Sequence, residues 1–142
     1  MLSTFAQLPW IGVLAGTFAF FFLGGVYFGV LVPKQYIYVT GREKLPQEQL
    51  KPMTPIFFVG PLICSFITVI ADAFLIQALG VTDIADATTL GSLIGLGFLV
   101  PMIFNIAINP LFPRPLQYGM LNAPYFLTAN VIACLLLVTI PW

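Results

Sequence analysis

Apolar residues fall into four long runs, and the stretches between them gather the prolines, turn glycines and charges. The runs cover about residues 9–32, 55–79, 89–108 and 118–140. The first carries no charge and stops at Pro33-Lys34; the second ends at Gly80, and the third ends before Asn109-Pro110. Each is about 20 residues or longer, enough at about 1.5 Å per residue to cross a hydrocarbon core roughly 30 Å thick. Backbone polar groups in lipid must be satisfied within the segment, so each run is predicted to be a helix. The expected architecture is all-α: one integral membrane domain over residues 1–142, a bundle of four transmembrane helices.

Composition sharpens this picture. Hydrophobic residues make up 60% of the chain and charged residues 7%, against roughly 45–50% and about 25% in an average soluble domain. Ten charged side chains cannot cover a soluble fold of this size. Disorder, which needs low hydrophobicity and high charge, is excluded too. Five basic and five acidic residues cancel, so no electrostatic case for nucleic-acid binding exists. The N-terminal run is too long for a signal-peptide core and lacks the basic residues that would precede one, so it is read as a retained first helix.

Charge also sets an expected orientation. Lys34, Arg42, Lys44 and Lys51 lie in the first connection, residues 33–54, and Arg114 lies in the third. The second connection carries Asp83 and Asp86 and no basic residue. The positive-inside rule puts the first and third connections in the cytoplasm and both termini on the other side. The expected location is the cytoplasmic membrane, which the chain crosses several times. Aromatic residues fall at the predicted boundaries, Trp10 and Trp142 outside, Tyr36, Tyr38 and Tyr118 inside. The stretch from Gly41 to Lys51 suits either a segment lying on the headgroups or a solvated loop.

Within the runs, Gly12 and Gly16, Gly25 and Gly29, and Gly91 and Gly95 each stand four apart. Such pairs put small residues on one helix face and let backbones approach closely. Gly60 and Cys64 continue the pattern in the second run. These faces serve packing within the bundle or docking of another chain. The fourteen phenylalanines suit a lipid-facing surface or a broad apolar contact.

Few residues can carry chemistry. The chain has no histidine, the commonest metal ligand and the usual general base near neutral pH. No catalytic residue, cofactor site or metal site is assigned. Cys64 and Cys134 lie at different expected depths, which argues against a disulfide. Asp72 is the one ionisable residue well inside a run; a carboxylate near a helix centre costs about 2.5–3.5 kcal/mol on insertion scales, so it should face protein or water. Asn130 and Thr128 in the fourth helix are candidate partners. A second candidate set, Asn105, Asn109, Asn122 and Arg114, lies toward the other end, with Pro101 freeing a backbone carbonyl on the Asn105 face. It suits either a hydrogen-bonded tie between the third and fourth helices or a small pocket for a headgroup or anion.

Several short stretches carry a resemblance. Gly80-Val81-Thr82, Thr88-Thr89-Leu90-Gly91, Asn105, Leu111-Phe112, Arg114-Pro115, and Leu121-Asn122-Ala123 followed by Tyr125 are its main part. Leu23-Gly24 with Tyr27, and Pro52-Met53, add weaker matches. The chain thereby resembles the bacterial four-helix membrane proteins of domain-of-unknown-function family 1761. The family shows an acidic-Gly pair before its Arg-Pro, where this chain has Phe112-Pro113, and a Gly at the position of Pro124. The resemblance implies the fold and topology, and no mechanism.

Two functions are weighed on this sequence. The first is a non-enzymatic structural or accessory subunit that packs in the lipid against itself or other membrane subunits, in a respiratory or photosynthetic complex for example. The second is a small transporter or lipid-binding protein acting as a dimer, with Asp72 as its coupling carboxylate.

Overall fold

The computed structural model describes residues 7–46 and 54–140. Trp142, Lys51 and the Pro52-Met53 pair lie outside the described residues. Four helices are long and apolar enough to cross a membrane: Trp10–Leu31, Ile56–Leu79, Ile84–Ala107 and Pro115–Thr139. The first comprises α1 (Trp10–Val26) and a π-helical turn, Tyr27–Leu31. A short helix, α2 (Pro33–Val39), follows it, and α3 (Ile56–Leu79) is the second span. The third comprises α4 (Ile84–Ile94), a π-helical turn at Gly95–Leu99 and α5 (Val100–Ala107); the fourth is α6 (Pro115–Thr139).

Local chemistry explains where these boundaries depart from the apolar runs. The third span starts five residues earlier than expected because Asp83 caps it, its side chain accepting from the Asp86 backbone N–H at 2.9 Å. An extended Asp at this position satisfies an otherwise orphaned helix donor. Pro115 opens α6 in the first turn, where a missing N–H costs nothing. Pro33 does the same for α2 after Val32 leaves helical geometry at φ −128°, so the first connection begins as helix rather than loop. Gly80, at φ 67°, closes α3 in the left-handed conformation that glycine adopts without strain. In the third span the π-turn absorbs the donor that Pro101 lacks: Val100 N–H reaches back to the Gly95 carbonyl.

The fourth span is the centre of the bundle, packing against all three others. Two small-residue pairs grip it on two faces. A side chain at Gly12 or Gly16 would meet the backbone of Leu137 or Ala133, at 3.4 and 3.6 Å. From the third span, a Cβ at Gly91 would meet Val131 Cα at 2.9 Å, and one at Gly95 would meet Leu127 Cα at 3.2 Å. These four glycines bring backbones together within the bundle. Gly25 and Gly29 do not: a Cβ at either meets nothing within 4 Å. Of the two roles open to such pairs, packing within the bundle falls to Gly12, Gly16, Gly91 and Gly95 and not to Gly25 and Gly29.

The second span behaves differently along its length. Its C-terminal half buries Ser65, Val69, Asp72, Ala73 and Ile76. Its N-terminal half stands clear, every residue from Thr54 to Cys64 being exposed or half-exposed. Gly60 packs on no other span, since a Cβ there would meet only Ile56 of its own helix.

Candidate functional site

Polar groups are sparse, and most satisfy their own helix. Thr17, Ser65, Thr68, Thr88 and Thr89 each donate to the carbonyl four residues back. This local bond hides a hydroxyl from lipid without a neighbour's help. The remaining polar groups gather at the two ends of the bundle, one marked by Asp83 and the other by Arg114.

At the Arg114 end, Arg114 ties the first connection to the third. Its guanidinium carbon lies 3.7 Å from the Tyr38 ring centroid, a favourable place for a cation over an aromatic face. One arm donates to the Tyr38 carbonyl, and another donates to Glu43 Oε1 at 2.7 Å. That hydrogen bond holds the Glu43 carboxyl below the usual carboxylate range and raises Arg114 above its ordinary value. Gly41, at φ 70°, lets the connection turn against Pro113; a side chain there would collide with the proline ring. A cavity of about 440 Å³ opens beside this contact, lined by Thr40, Lys44 and Leu111 among others. Its arginine already has a carboxylate partner, so the anion pocket expected around Arg114 has no free arginine charge.

The asparagines expected to join Arg114 are not brought together. Asn109 bonds its own loop, donating to the Ile106 carbonyl and accepting from the Leu111 N–H. Asn122, buried, donates to the Tyr118 carbonyl one turn back in its own helix. Asn105 faces outward, exposed. The expected tie between the third and fourth spans therefore does not form: each buried or loop amide finds a nearer backbone acceptor.

An aromatic clasp takes its place, between the first and fourth spans. Tyr27 donates to the Leu121 carbonyl at 2.9 Å, and Tyr125 donates to the Phe20 carbonyl at 3.2 Å. The two rings stack with centroids 6.0 Å apart, and Phe20, Phe28 and Phe126 surround Tyr125 edge-on. Gly24 makes room, since a Cβ there would lie 2.8 Å from the Tyr125 hydroxyl. Spacing alone does not reveal this contact, which joins residues about a hundred positions apart. Its one signal in the sequence is the family resemblance, which includes Gly24, Tyr27 and Tyr125.

Toward the Asp83 end lies the most unusual chemistry. Asp72 is 1% exposed and Asn130 is fully buried. Asp72 lies seven residues from the end of α3 and Gly91 seven from the start of α4, both roughly 10 Å deep. Asn130 Nδ2 donates to the Gly91 carbonyl at 3.2 Å, closing the third span onto the fourth. Thr128, the other expected partner, is exposed on the far side of its helix. Among the described residues, three buried side-chain oxygens have no hydrogen-bond partner: Asp72 Oδ2, Gln77 Oε1 and Asn130 Oδ1. All three belong to the Asp83 half of the bundle.

The two cysteines are free, Cys64 exposed and Cys134 buried. No group of three or more metal-ligating side chains occurs among the described residues. No curated protein and no solved structure matches the chain. A model of the family described as protein of unknown function DUF1761 matches residues 11–138, which takes in all four spans, the Arg114 tie and the aromatic clasp. The chain belongs to that family.

Proposed function

We propose that this membrane protein is a non-enzymatic structural or accessory subunit that packs against a further helix, from a second copy or a larger membrane complex. One observation carries the reading: the N-terminal half of the second span stands clear of the bundle, and the C-terminal part of the first span presents an open small-residue face. Ile56, Phe57 and Phe58 are each more than half exposed, as are Phe22 and Val30. The small-residue pair Gly25 and Gly29 shares the exposed face of the first span with Phe22 and Val30, and a Cβ at either would meet nothing within 4 Å. In lipid, helices associate through close van der Waals fit at small residues rather than through apolar burial. A self-sufficient four-helix bundle would use such a pair internally, as this one uses Gly12, Gly16, Gly91 and Gly95.

By charge, the Arg114 end faces the cytoplasm, and by the family resemblance the membrane is a bacterial inner membrane; the docking face then lies in the cytoplasmic leaflet. The test is native mass spectrometry of the gently extracted protein with and without Gly29→Leu. Wild-type protein should appear in a fixed stoichiometry that the variant loses while keeping its helical spectrum. Assembly unchanged in Gly29→Leu would refute docking through this face.

A second reading, a small dimeric transporter, is favoured by the buried Asp72 carboxyl. It requires that Asp72→Asn abolish flux in proteoliposomes, and unchanged flux would remove it.

A further inference from the structure

The cavity beside the Arg114 tie has chemistry that the packing role does not use. Its volume, about 440 Å³, falls within the roughly 300–1,000 Å³ of small-ligand pockets. Both connections of this end line it: Thr40, Glu43 and Lys44 from the first, Leu111 and Arg114 from the third. It sits where the spans leave the lipid, since Ala107 ends the third span and Pro115 opens the fourth. Beside it Tyr36 packs on Tyr118, ring centroids 6.2 Å apart, and tyrosine is a residue type of the membrane–water interface.

The charges around the cavity do not balance. Arg114 and Glu43 answer each other at 2.7 Å, and Lys44 forms no ion pair among the described residues. The lining therefore keeps one net positive charge, which disfavours a metal cation as occupant. Arg114 spends two of a guanidinium's five N–H donors, on Tyr38 and Glu43. The Thr40 hydroxyl already donates to the Tyr36 carbonyl. What the site has to spare is donors on cations, and these suit an anion with several acceptor oxygens.

Two further features point to the membrane as the source of that anion. The connections at this end carry all five Lys and Arg of the chain against Glu43 and Glu48, a surplus that draws anionic headgroups, which basic pockets between spans then hold. Leu111 lines the same cavity and is 89% exposed, an apolar surface that an acyl chain can cover and a small free anion cannot.

We propose that this cavity binds the phosphate of an anionic phospholipid headgroup. The phosphate oxygens accept from Lys44 and from the guanidinium donors that Arg114 has to spare. Glu43 stays on Arg114 and positions it, and Lys44 supplies the uncompensated charge. The site works independently of whether the exposed faces of the first and second spans dock a partner. Free inorganic phosphate offers the same oxygens without acyl chains, so the test separates the two.

The full chain in a mild detergent is titrated with equal amounts of phosphatidylglycerol and phosphatidylcholine, and the retained lipid is read by native mass spectrometry. Wild type should hold one phosphatidylglycerol in preference to phosphatidylcholine. Lys44→Gln should lower that preference about tenfold, the loss of one charge-assisted hydrogen bond, and Lys44→Arg should keep it. Lys34 is exposed in the same connection and does not line the cavity, so Lys34→Gln should leave the preference nearly unchanged. No preference in wild type, or equal losses in Lys34→Gln and Lys44→Gln, would overturn the site. Inorganic phosphate added at the lipid's concentration should displace no lipid; displacement would overturn the lipid assignment in favour of free phosphate.

Discussion

Adding one methyl group at Gly91 perturbs the bundle at its tightest backbone contact. The new Cβ in Gly91→Ala would lie 2.9 Å from Val131 Cα and 3.3 Å from both the Asn130 carbonyl oxygen and Cys134 Cβ. Carbon atoms settle at about 3.5–4.0 Å, so the third and fourth spans must part by roughly 0.6 Å or more. Backbone cannot swing aside as a side chain can. A radial gap of about 0.5–1 Å forfeits a quarter to a half of each contact's attraction, and the same shift breaks the 3.2 Å bond from Asn130 to the Gly91 carbonyl. Overpacking of this kind costs about 1–3 kcal/mol, and the lost interhelical bond adds about 0.6 kcal/mol. The assay is reversible unfolding in bicelles or mixed micelles, with Gly25→Ala as the matched control. Gly91→Ala should shift the unfolding constant tenfold or more, since about 1.4 kcal/mol is a factor of ten. Gly25→Ala, whose methyl meets nothing within 4 Å, should stay within about 0.5 kcal/mol of wild type. Equal stability of Gly91→Ala and wild type would refute the claim that these glycines set the backbone spacing.

Other consequences are as direct. Tyr27→Phe and Tyr125→Phe each remove one interhelical hydrogen bond and should destabilise by about 0.6 kcal/mol, at most near 1.7, measured in the same unfolding assay. Because Arg114 lowers the Glu43 carboxyl from its ordinary 4.5, the tie is fully present above that pH and is lost as pH falls through the lowered value. Protection factors of residues 38–45, the exchange rates referred to the intrinsic rate at each pH, should therefore fall on acidification below about pH 4.5 in wild type, and a Glu43→Gln protein with the same acid dependence would contradict this. Arg114→Lys should also loosen that segment, because an ammonium cannot donate to two oxygens and cover the ring with the same flat surface.

The fold was legible in the sequence because the bilayer imposes a simple rule: twenty apolar residues with internal hydrogen bonds make a span. All four spans fall close to their apolar runs. Boundaries were less legible wherever a polar residue caps a helix, as Asp83 does six residues ahead of the apolar run. The glycine pairs were visible as spacing, but spacing does not say what a face meets. Gly12 and Gly91 pack on backbone while Gly25 and Gly29, with the same spacing, face open space. The asparagines misled for a related reason. Asn105, Asn109 and Asn122 look convergent on a helical wheel, yet Asn109 and Asn122 bond backbone within a few residues of themselves. Long-range contacts such as Tyr27 to Leu121 and Arg114 to Glu43 have no periodic signature. Asp72 stood out because an ionisable residue inside a span is costly enough to need a reason, and the structure buries it to 1% exposure.

The docking role rests on the open small-residue face at Gly25 and Gly29 and on the free half of the second span. Native mass spectrometry of the protein, extracted gently from its own membrane, addresses that face most directly. A defined homo-oligomer or a fixed complex with other membrane subunits, dispersed by Gly29→Leu, is the expected result. A lone chain carrying only lipid, identical in wild type and Gly29→Leu, would contradict it.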